Sequence, residues 1–528
     1  MRWSALIDKK SRVSPPVADE AGSVLPECGL VLSIDQGTTN TKAILVDPRT
    51  GRAVAHGSVR VGITFPAPGW VEQDPAEIWS ATLDAIATCL ADIPGVVPVA
   101  LAVSNQRESV VAWSRSTGVP LGPMLGWQDA RTAPACAMLV AGGSSDEVRV
   151  HTGLSLDPMY SAPKMRWLLD AATDAGTALG DICLGTVDAW LIWNLTRGAV
   201  FATEAGNASR TLLFDLATLE WSPALLDLFG IPAATLPEVR PSNAGFGVTA
   251  DLEILPAGVP IVAVLADSHA ALYFHGCTTA GTGKATYGTG SSIMVPCDGP
   301  GVAPVGIATT LAWLTDTPTY AREGNIIATG SALDWMAGVL GAGPGRSGGA
   351  FLTELASEVD GAEGVHFVPA FSGLGAPCWD RGATGVVTGV TGGTTRAHLA
   401  RAALEAVAHQ VADVVEAIES DDLARIDVLH ADGGATASSL LMQLQSDLLG
   451  RPVHIADSSE ASALGAALLA ARTLGLAASD EAGDGRFAAV MPRIDHTARA
   501  ARRAQWARAV ARSRGRAVPA WAGTATPP

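Results

Sequence analysis

A glycine turn near the start of the chain carries side chains that could bind a phosphate group. The turn lies within the sequence LVLSIDQGTTNTKAILVD, which runs from Leu30 to Asp47. Its hydrogen-bond donors follow one another directly: Thr38, Thr39, Asn40, Thr41 and Lys42. Backbone N–H groups and hydroxyls in such turns can bind anionic oxygens. The stretch lacks the spacing and the following helix of a Walker A motif, and taken alone it also fits a plain β-hairpin turn.

The same kind of turn recurs in the second half of the chain. There the sequence YGTGS covers Tyr287–Ser291, with Thr289 and Gly290 near its centre. Two such loops facing each other across a cleft could hold a triphosphate through backbone N–H groups and hydroxyls. Asp35 in the first turn would repel a bare phosphate, but ATP usually binds as a magnesium complex, and a carboxylate attracts that cation. The two turns therefore predict an ATP site with Asp35 on its magnesium side.

Asp267 is the candidate for a general base. It ends the apolar run of VPIVAVLADSHAAL, directly before an Ala-rich helical stretch. An isolated Asp in this position is most often a helix cap. At the carboxyl end of a strand in an α/β fold, it could also accept the proton of an acceptor hydroxyl during phosphoryl transfer. His269, two residues later, is interpreted as a packed polar residue, and no metal besides Mg²⁺ is predicted.

A second strand end offers groups that could bind a sugar or polyol. The sequence SNQRE places Arg107 and Glu108 after a buried strand, where a donor fork and an acceptor could bind neighbouring hydroxyls. Trp127 could provide an apolar wall against the C–H face of such a molecule. Each feature alone has an ordinary alternative, because Arg–Glu neighbours are common at surfaces and Trp side chains are common in cores.

The elements that must position these residues alternate between strand and helix. Val31–Asp35 and Ala43–Val46 read as two strands, and Val99–Val103 reads as a buried strand. Asp74–Leu90 reads as a helix that Asp74 caps. A second unit begins near Gly276 and repeats the opening plan of strand, glycine turn and strand. This alternation predicts α/β layers in two similar halves.

The rest of the second half shows the same alternation. IDVLHADGGATASSLLMQLQSDLLG reads as a strand, a Gly-Gly turn and a helix, and EASALGAALLAARTLG reads as a closely packed helix. The basic run RAARRAQWARAVARSRGR, with Trp506, predicts a terminal helix. A solvated face that balances an acidic body is favoured for this helix over nucleic-acid binding. Residues 1–28 are interpreted as a loose extension, and the last dozen residues as disordered.

Composition excludes several classes of function. The chain has 528 residues, of which 48% are hydrophobic and 16% charged, as expected of large buried cores. Its net charge of −17 argues against nucleic acid and anionic membranes as partners. The seven scattered cysteines contain no CxxC pair and indicate reduced thiols. Neither a signal peptide nor a membrane span is predicted, so we expect a cytoplasmic protein.

Taken together and in order, these residues resemble the FGGY carbohydrate kinases, and most closely the glycerol kinases among them. The resemblance spans residues 29–475. It is carried by SIDQGTTNTKAILVD, PGWVEQDPAEIW, VSNQRE, WQDARTA, TGLSLDPMYSAPKMRWLLD, GTVDAWLIWNLT, NASRTLLFDL, LADSHAAL, TYGTGSS, VPAFSGLGAPCWD, GVVTGVTGG and ADGGATASSLLMQLQSDLLG.

The resemblance implies an α/β fold of two actin-like, ribonuclease H-like domains with a cleft between them for ATP and substrate. It implies a flexible extension (residues 1–28), an N-terminal domain (29–275) and a C-terminal domain (276–475). Residues 476–528 are expected to form a polar segment, a terminal helix and a disordered tail. It also implies transfer of the γ-phosphate of ATP, with Mg²⁺, to a hydroxyl of a small sugar or polyol. A homo-oligomer, either a dimer or a tetramer, is the expected assembly.

The resemblance also assigns expected roles to residues. Asp267 is expected to be the catalytic base and to lie, with Asp35, on the magnesium side. The expected phosphate and adenosine contacts are Thr38, Thr39, Asn40, Lys42, Thr289, Gly290, Gly433, Gly434, Ala435 and Ser438. The expected acceptor contacts are Arg107, Glu108, Trp127, Met159, Asp267, Ser268 and Ser292.

Four residues depart from the glycerol kinase pattern. Met159 stands where the resemblance implies a Tyr that binds a glycerol hydroxyl, and Ser268 stands in place of a Gln. Ser292 stands where an aromatic ring would close the apolar side of the pocket, and Ser438 replaces an Asn near adenine. Met cannot replace a phenol's hydrogen bond, and Ser is smaller than Gln or Phe. The acceptor pocket is therefore expected to be wider.

Two acceptors stay open at this point. One is glycerol, which would give glycerol 3-phosphate and ADP. The other is a four- or five-carbon polyol or ketose, such as erythritol, xylitol, xylulose or ribulose. A non-catalytic nucleotide switch is a third interpretation, because actin-like folds also serve chaperones and filaments. Arg107, Trp127 and Asp267 argue against the switch, since all three point to a sugar site.

Overall fold

The computed structural model describes residues 29–343, 345–420, 423–476 and 487–515. The predicted extension (residues 1–28) and the predicted disordered end lie outside these ranges. Within them, no helix combines the length and the apolar character that crossing a membrane requires.

The strands are, in chain order, β1 (Val31–Gln36), β2 (Asn40–Asp47), β3 (Arg52–Arg60), β4 (Glu72–Gln73), β5 (Ala100–Asn105), β6 (Val110–Ser114), β7 (Met124–Leu125), β8 (Ile182–Thr186), β9 (Ala202–Glu204), β10 (Phe214–Asp215), β11 (Glu220–Trp221), β12 (Glu238–Arg240), β13 (Ile261–Ala266), β14 (Gly281–Tyr287), β15 (Ser291–Cys297), β16 (Ala308–Leu314), β17 (Pro318–Ile326), β18 (His366–Val368), β19 (Val386–Thr388), β20 (Ile426–Asp432), β21 (Val453–Ala456) and β22 (Phe487–Val490).

The α-helices are α1 (Pro75–Ala91), α2 (Ala133–Ala141), α3 (Ser145–Thr152), α4 (Ser161–Asp174), α5 (Val187–Leu195), α6 (Ala205–Ala208), α7 (Pro223–Phe229), α8 (Asp267–Phe274), α9 (Gly330–Val339), α10 (Gly348–Ala356), α11 (Arg396–Ile418), α12 (Ser439–Leu449), α13 (Ala461–Thr473) and α14 (His496–Arg514).

Two large sheets share one strand plan, as the repeated glycine turn predicts. The first sheet has the order β13-β5-β1-β2-β3, and the second has β16-β17-β15-β14-β20-β21-β22. In each sheet an antiparallel hairpin lies beside two strands that run parallel to its first strand. The two α/β halves therefore confirm the predicted fold class. Strand β22 was not predicted, because it lies in the part of residues 476–528 that is expected to be a polar segment.

Two helices, α1 and α14, form where the sequence predicts them. The helix predicted over Asp74–Leu90 is α1, and the Asp74 carboxylate accepts the N–H of Ala76 at 2.8 Å. The basic terminal stretch forms α14, whose Trp506 is buried. Arg503 of this helix forms an ion pair with Asp413 at 2.5 Å, so its charge is matched by the protein's own acidic residues.

Helices α8 and α13 cross between the two sheets. Helix α13 follows the second sheet in sequence, yet it packs on β1 and β5 of the first sheet and on α8. The crossing requires Gly465, because a Cβ at this position would lie 1.8 Å from the carbonyl oxygen of Ala270. The small residues of α13, interpreted from sequence as a sign of close packing, thus bring the two halves together.

We expect Gly465→Ala to lower the free energy of unfolding by about 1–3 kcal/mol, because the added methyl group forces the two helices apart. Urea unfolding measures this as a lower midpoint concentration. Gly338→Ala in helix α9 is the matched control, because its Cβ would meet no atom within 4 Å. Replacing this helical glycine should leave the free energy of unfolding unchanged or raise it by about 0.5–1 kcal/mol. Equal midpoints for Gly465→Ala and the parent would contradict the close crossing.

Candidate active site

A cavity of about 640 Å³ lies where the strand ends of the two halves face each other. It brings together many of the residues that the sequence predicts for phosphate and acceptor binding. Those in its lining are Thr38, Arg107, Glu108, Trp127, Met159, Asp267, Ser268, Thr289, Gly290 and Ser292. Strands β1, β5, β13 and β14 lead to this edge, so residues far apart in sequence converge there.

A network of buried charges lies beneath this cavity. Arg107 Nη2 contacts Glu323 Oε1 at 2.6 Å, and Arg210 Nη2 contacts Glu323 Oε2 at 2.9 Å. Arg210 Nε also donates to Glu108 Oε1 at 2.7 Å. Both arginines and Glu108 belong to the first half, whereas Glu323 lies on β17 of the second half. The network therefore connects the two halves below the cavity.

The charges of this network are matched rather than isolated. Burial alone would raise the pKa of Glu323, but the positive charges of Arg107 and Arg210 hold that pKa well below its usual range. Glu323 is thus a carboxylate with almost no solvent exposure. Arg210 and Glu323 were not predicted as site residues. The available signal for Glu323 was the charged pair Arg322–Glu323 within the strand sequence TYAREGNI.

Asp267 begins helix α8 directly after β13 and faces the cavity. Its Oδ1 lies 3.5 Å from Arg107 Nε and accepts the backbone N–H of Ser268 at 2.6 Å. Its pKa is raised by burial, and Arg107 partly opposes that shift. The side chain is 36% exposed, so the cavity can reach the carboxylate. This geometry allows Asp267 to accept a proton from a hydroxyl bound in the cavity.

His269 is fully buried, as expected for a packed polar residue. Burial holds its pKa well below the usual range, with Arg107 acting in the same direction. The ring is therefore neutral, and it lies outside the residues that line the cavity. Of these two side chains, Asp267 is the one that lines the cavity.

The wall of the acceptor side is connected to the first glycine turn. Trp127 Nε1 donates to Thr38 Oγ1 at 3.0 Å, which joins the predicted apolar wall to the predicted phosphate loop. Lys164 Nζ lies beneath this wall and donates to the carbonyl oxygens of Met159 at 2.6 Å and Gly126 at 3.2 Å. Burial lowers the pKa of Lys164 to about 7. Lys164 thus holds the loop of Gly126 and the loop of Met159 together, a role that was not predicted from the sequence.

Ser292 takes part in the charge network. Its hydroxyl donates to Glu323 Oε1 at 3.1 Å, and Lys284 Nζ lies 3.4 Å from the same hydroxyl. An aromatic ring at this position could form neither contact. The small side chain therefore adds a polar contact and leaves space on the same side of the cavity.

The first glycine turn is only partly in contact with the cavity. Thr38 lines it. Thr39, Asn40 and Lys42 lie outside its lining, and also outside the lining of a second cavity, described below, that extends from the other glycine turn. Lys42 Nζ instead pairs with Glu460 Oε2 at 2.8 Å, next to the start of α13. The phosphate roles of these three residues stay predictions. Glu460 was not singled out from the sequence.

Asp35 has the features expected beside a cation. Among the described residues, no hydrogen-bond partner reaches its buried Oδ1. Burial raises the pKa of Asp35 to about 6; Lys42 lowers it, and the negative charge of Asp267 raises it further. Two neighbouring carboxylates that disfavour each other's charge would both be stabilised by a divalent cation.

A second cavity of about 630 Å³ extends from the second glycine turn. Three of the residues predicted to contact adenosine, Gly434, Ala435 and Ser438, line it, and Thr289 lines both cavities. Gly433 instead packs against the turn, since its φ is 94° and a Cβ would lie 2.6 Å from Tyr287 O. A nucleotide lying in this cavity could therefore extend its phosphates past Thr289 towards Asp267.

Comparison with known protein families covers most of the described chain. Residues 30–273 match the family described as "FGGY family of carbohydrate kinases, N-terminal domain". Residues 283–474 match the C-terminal domain of the same family. The cavity between the halves thus lies between the two matched domains.

Individual relatives carry more specific names. The chain is 46% identical to the apulose kinase of Pectobacterium atrosepticum over 84% of this chain and 90% of that protein. It is 43% identical to the glycerol kinase of Alkalilimnicola ehrlichii over 92% of this chain and 98% of that protein. The crystal structure of Plasmodium falciparum glycerol kinase with ADP matches with a TM-score of 0.84 and 30% identity, covering 92% and 98% of the two chains.

Proposed function

The chain belongs to the FGGY family of carbohydrate kinases, and we propose that it transfers the γ-phosphate of ATP to a hydroxyl of a four- or five-carbon ketose or polyol. The observation that carries the choice of acceptor is the set of small or apolar residues at Met159, Ser268 and Ser292. All three line the cavity that Asp267 faces.

The chemical step uses the residues at the meeting point of the two cavities. The acceptor hydroxyl attacks the γ-phosphorus, an O–P bond forms, and the bond from that phosphorus to the bridging oxygen of ADP breaks. The hydroxyl proton passes to the Asp267 carboxylate. Arg107 lines the cavity with its Nε 3.5 Å from Asp267 Oδ1, so its guanidinium would contact the acceptor near the reacting hydroxyl. Thr289 and Gly290, which line the cavity, would donate to the transferred phosphate.

Magnesium fits the same site as a cation bound with the nucleotide. Within the described ranges, no three His, Cys, Asp or Glu side chains form a metal-binding group. Asp35 and Asp267 would therefore hold Mg²⁺ together with waters and phosphate oxygens, as is common for this ion. When bound, Mg²⁺ neutralises charge that develops on the phosphates.

The acceptor argument rests on hydrogen bonding and volume. Met159 offers no hydroxyl to a small triol, and a polar group of the ligand left unpaired costs about 1–3 kcal/mol. Ser268 and Ser292 leave space that a longer carbon chain can fill. The 46% identity to a protein named apulose kinase supports an acceptor other than glycerol.

Glycerol is the second candidate. Its support is the 43% identity to glycerol kinases across nearly their whole length. Arg107, Glu108 and Trp127 are also the contacts that the resemblance assigns to glycerol. The reaction is the same for both candidates, and only the acceptor differs.

We expect Asp267→Asn to lower phosphoryl transfer at least ~100-fold, because the amide cannot accept the acceptor's proton. ATP binding, measured by equilibrium titration, should persist. Asp74→Asn at the remote cap of α1 is the matched control and should keep full turnover, since Asn also caps helices. Turnover near that of the parent in Asp267→Asn would remove Asp267 from the base role.

An ADP-release assay across glycerol, erythritol, xylitol, ribitol, xylulose, ribulose and apulose tests the acceptor. We expect kcat/KM for a four- or five-carbon compound to exceed that for glycerol by about tenfold or more. Met159→Tyr should shift the ratio back towards glycerol, because it restores a phenol hydroxyl. A parent enzyme that clearly prefers glycerol would contradict the proposed acceptor while leaving the kinase reaction in place.

A further inference from the structure

An ion pair connects the two halves at the rim of the acceptor cavity. Arg381 Nη2 lies 2.6 Å from Asp157 Oδ2, and both residues line the cavity. Asp157 belongs to the loop between α3 and α4 of the first half. Arg381 belongs to the loop between β18 and β19 of the second half. Neither residue has a role in the chemical step described above.

Asp157 is coupled to the acceptor wall. Its Oδ1 accepts the backbone N–H of Met159 at 2.9 Å, while its Oδ2 pairs with Arg381. The carboxylate is only 13% exposed, so its position is well defined by these partners. Lys164 Nζ binds the carbonyl oxygen of Met159 from the other side. A shift of Asp157 would therefore move the backbone that places Met159.

The loop that carries Arg381 is held by the terminal helix. Asp380 Oδ2 lies 3.0 Å from Arg514 Nε at the end of α14. Ser513 Oγ in the same turn donates to the carbonyl oxygen of Thr384 at 2.6 Å. Helix α14 lies beyond residues 283–474, which match the C-terminal family domain. The basic terminal segment thus supports one side of the cavity.

We propose that Asp157 and Arg381 form a clasp that joins the two domains over the acceptor, and that this clasp sets the affinity for the acceptor. The proposal rests on the proposed function only in that the acceptor occupies this cavity. Both residues are positioning residues, because their pair holds the walls around the acceptor and leaves the reacting atoms to Asp267.

The size of the effect follows from the exposure of the pair. Arg381 is 65% exposed, so water and salt screen its attraction to Asp157. Exposed pairs of this kind change an equilibrium by about two- to fivefold. The clasp should therefore change the KM for the acceptor by that factor and leave kcat and the KM for ATP within about twofold.

The test compares Asp157→Asn, Arg381→Gln and the double variant with the parent. The amide introduced by Asp157→Asn keeps an oxygen that can accept the Met159 N–H, so this substitution removes mainly the charge. Each single variant should raise the acceptor KM about two- to fivefold, and the double variant should show the same rise rather than the product. Raising NaCl should raise the KM of the parent and leave the variants unchanged.

The control is Arg425→Gln, which removes an exposed pair with Asp427 (2.5 Å) that lies away from this cavity. It should leave every kinetic constant unchanged. The assay uses whichever acceptor gives the highest kcat/KM, glycerol included, so a wrong acceptor assignment does not affect it. An unchanged acceptor KM in the single variants, a multiplicative double variant, or an effect on kcat alone would overturn the clasp.

Discussion

The structure depends on the buried carboxylate of Glu323, which belongs to the second half and is neutralised by arginines of the first half. Glu323 lies inside β17 with almost no exposure, and an unpaired charge there would cost several kcal/mol. Arg107 and Arg210 of the first half supply the matching charges. The two halves must therefore meet in one register for the charge to be tolerated. Arg107, held in this way, also lies beside Asp267.

The repeated architecture explains why this single contact organises a whole site. In the first sheet β13, β5, β1 and β2 lie side by side, and β21, β20, β14 and β15 have the corresponding places in the second sheet. The ends of β1, β5 and β13 face the ends of β14 and β20 across the cavity. Helices α8 and α13 cross between the sheets through the small residues Ala270 and Gly465. The cavities proposed for the nucleotide and the acceptor then share Thr289, and the proposed clasp lies at the rim of the second of these. Binding and chemistry are thus divided between two similar halves.

Sequence could predict the features that depend on neighbours along the chain. The cap at Asp74, the hairpins with their glycine turns and the position of Asp267 after a strand are all local signals. The contacts of Arg210 with Glu108, of Lys164 with Gly126 and of Lys42 with Glu460 could not be derived in this way, because each pair is distant in sequence. The packing of α13 on the first sheet was missed for the same reason. An apolar helix face does not indicate which sheet it covers.

The most direct test of this arrangement is the Glu323→Gln variant. It keeps the shape of the side chain but leaves two buried arginines without their shared charge. We expect the free energy of unfolding to fall by about 3–5 kcal/mol, and acceptor phosphorylation to fall with it. Glu405→Gln, which affects an ion pair within α11, is the control and should change both far less. A Glu323→Gln variant as stable and as active as the parent would contradict the central role of this carboxylate.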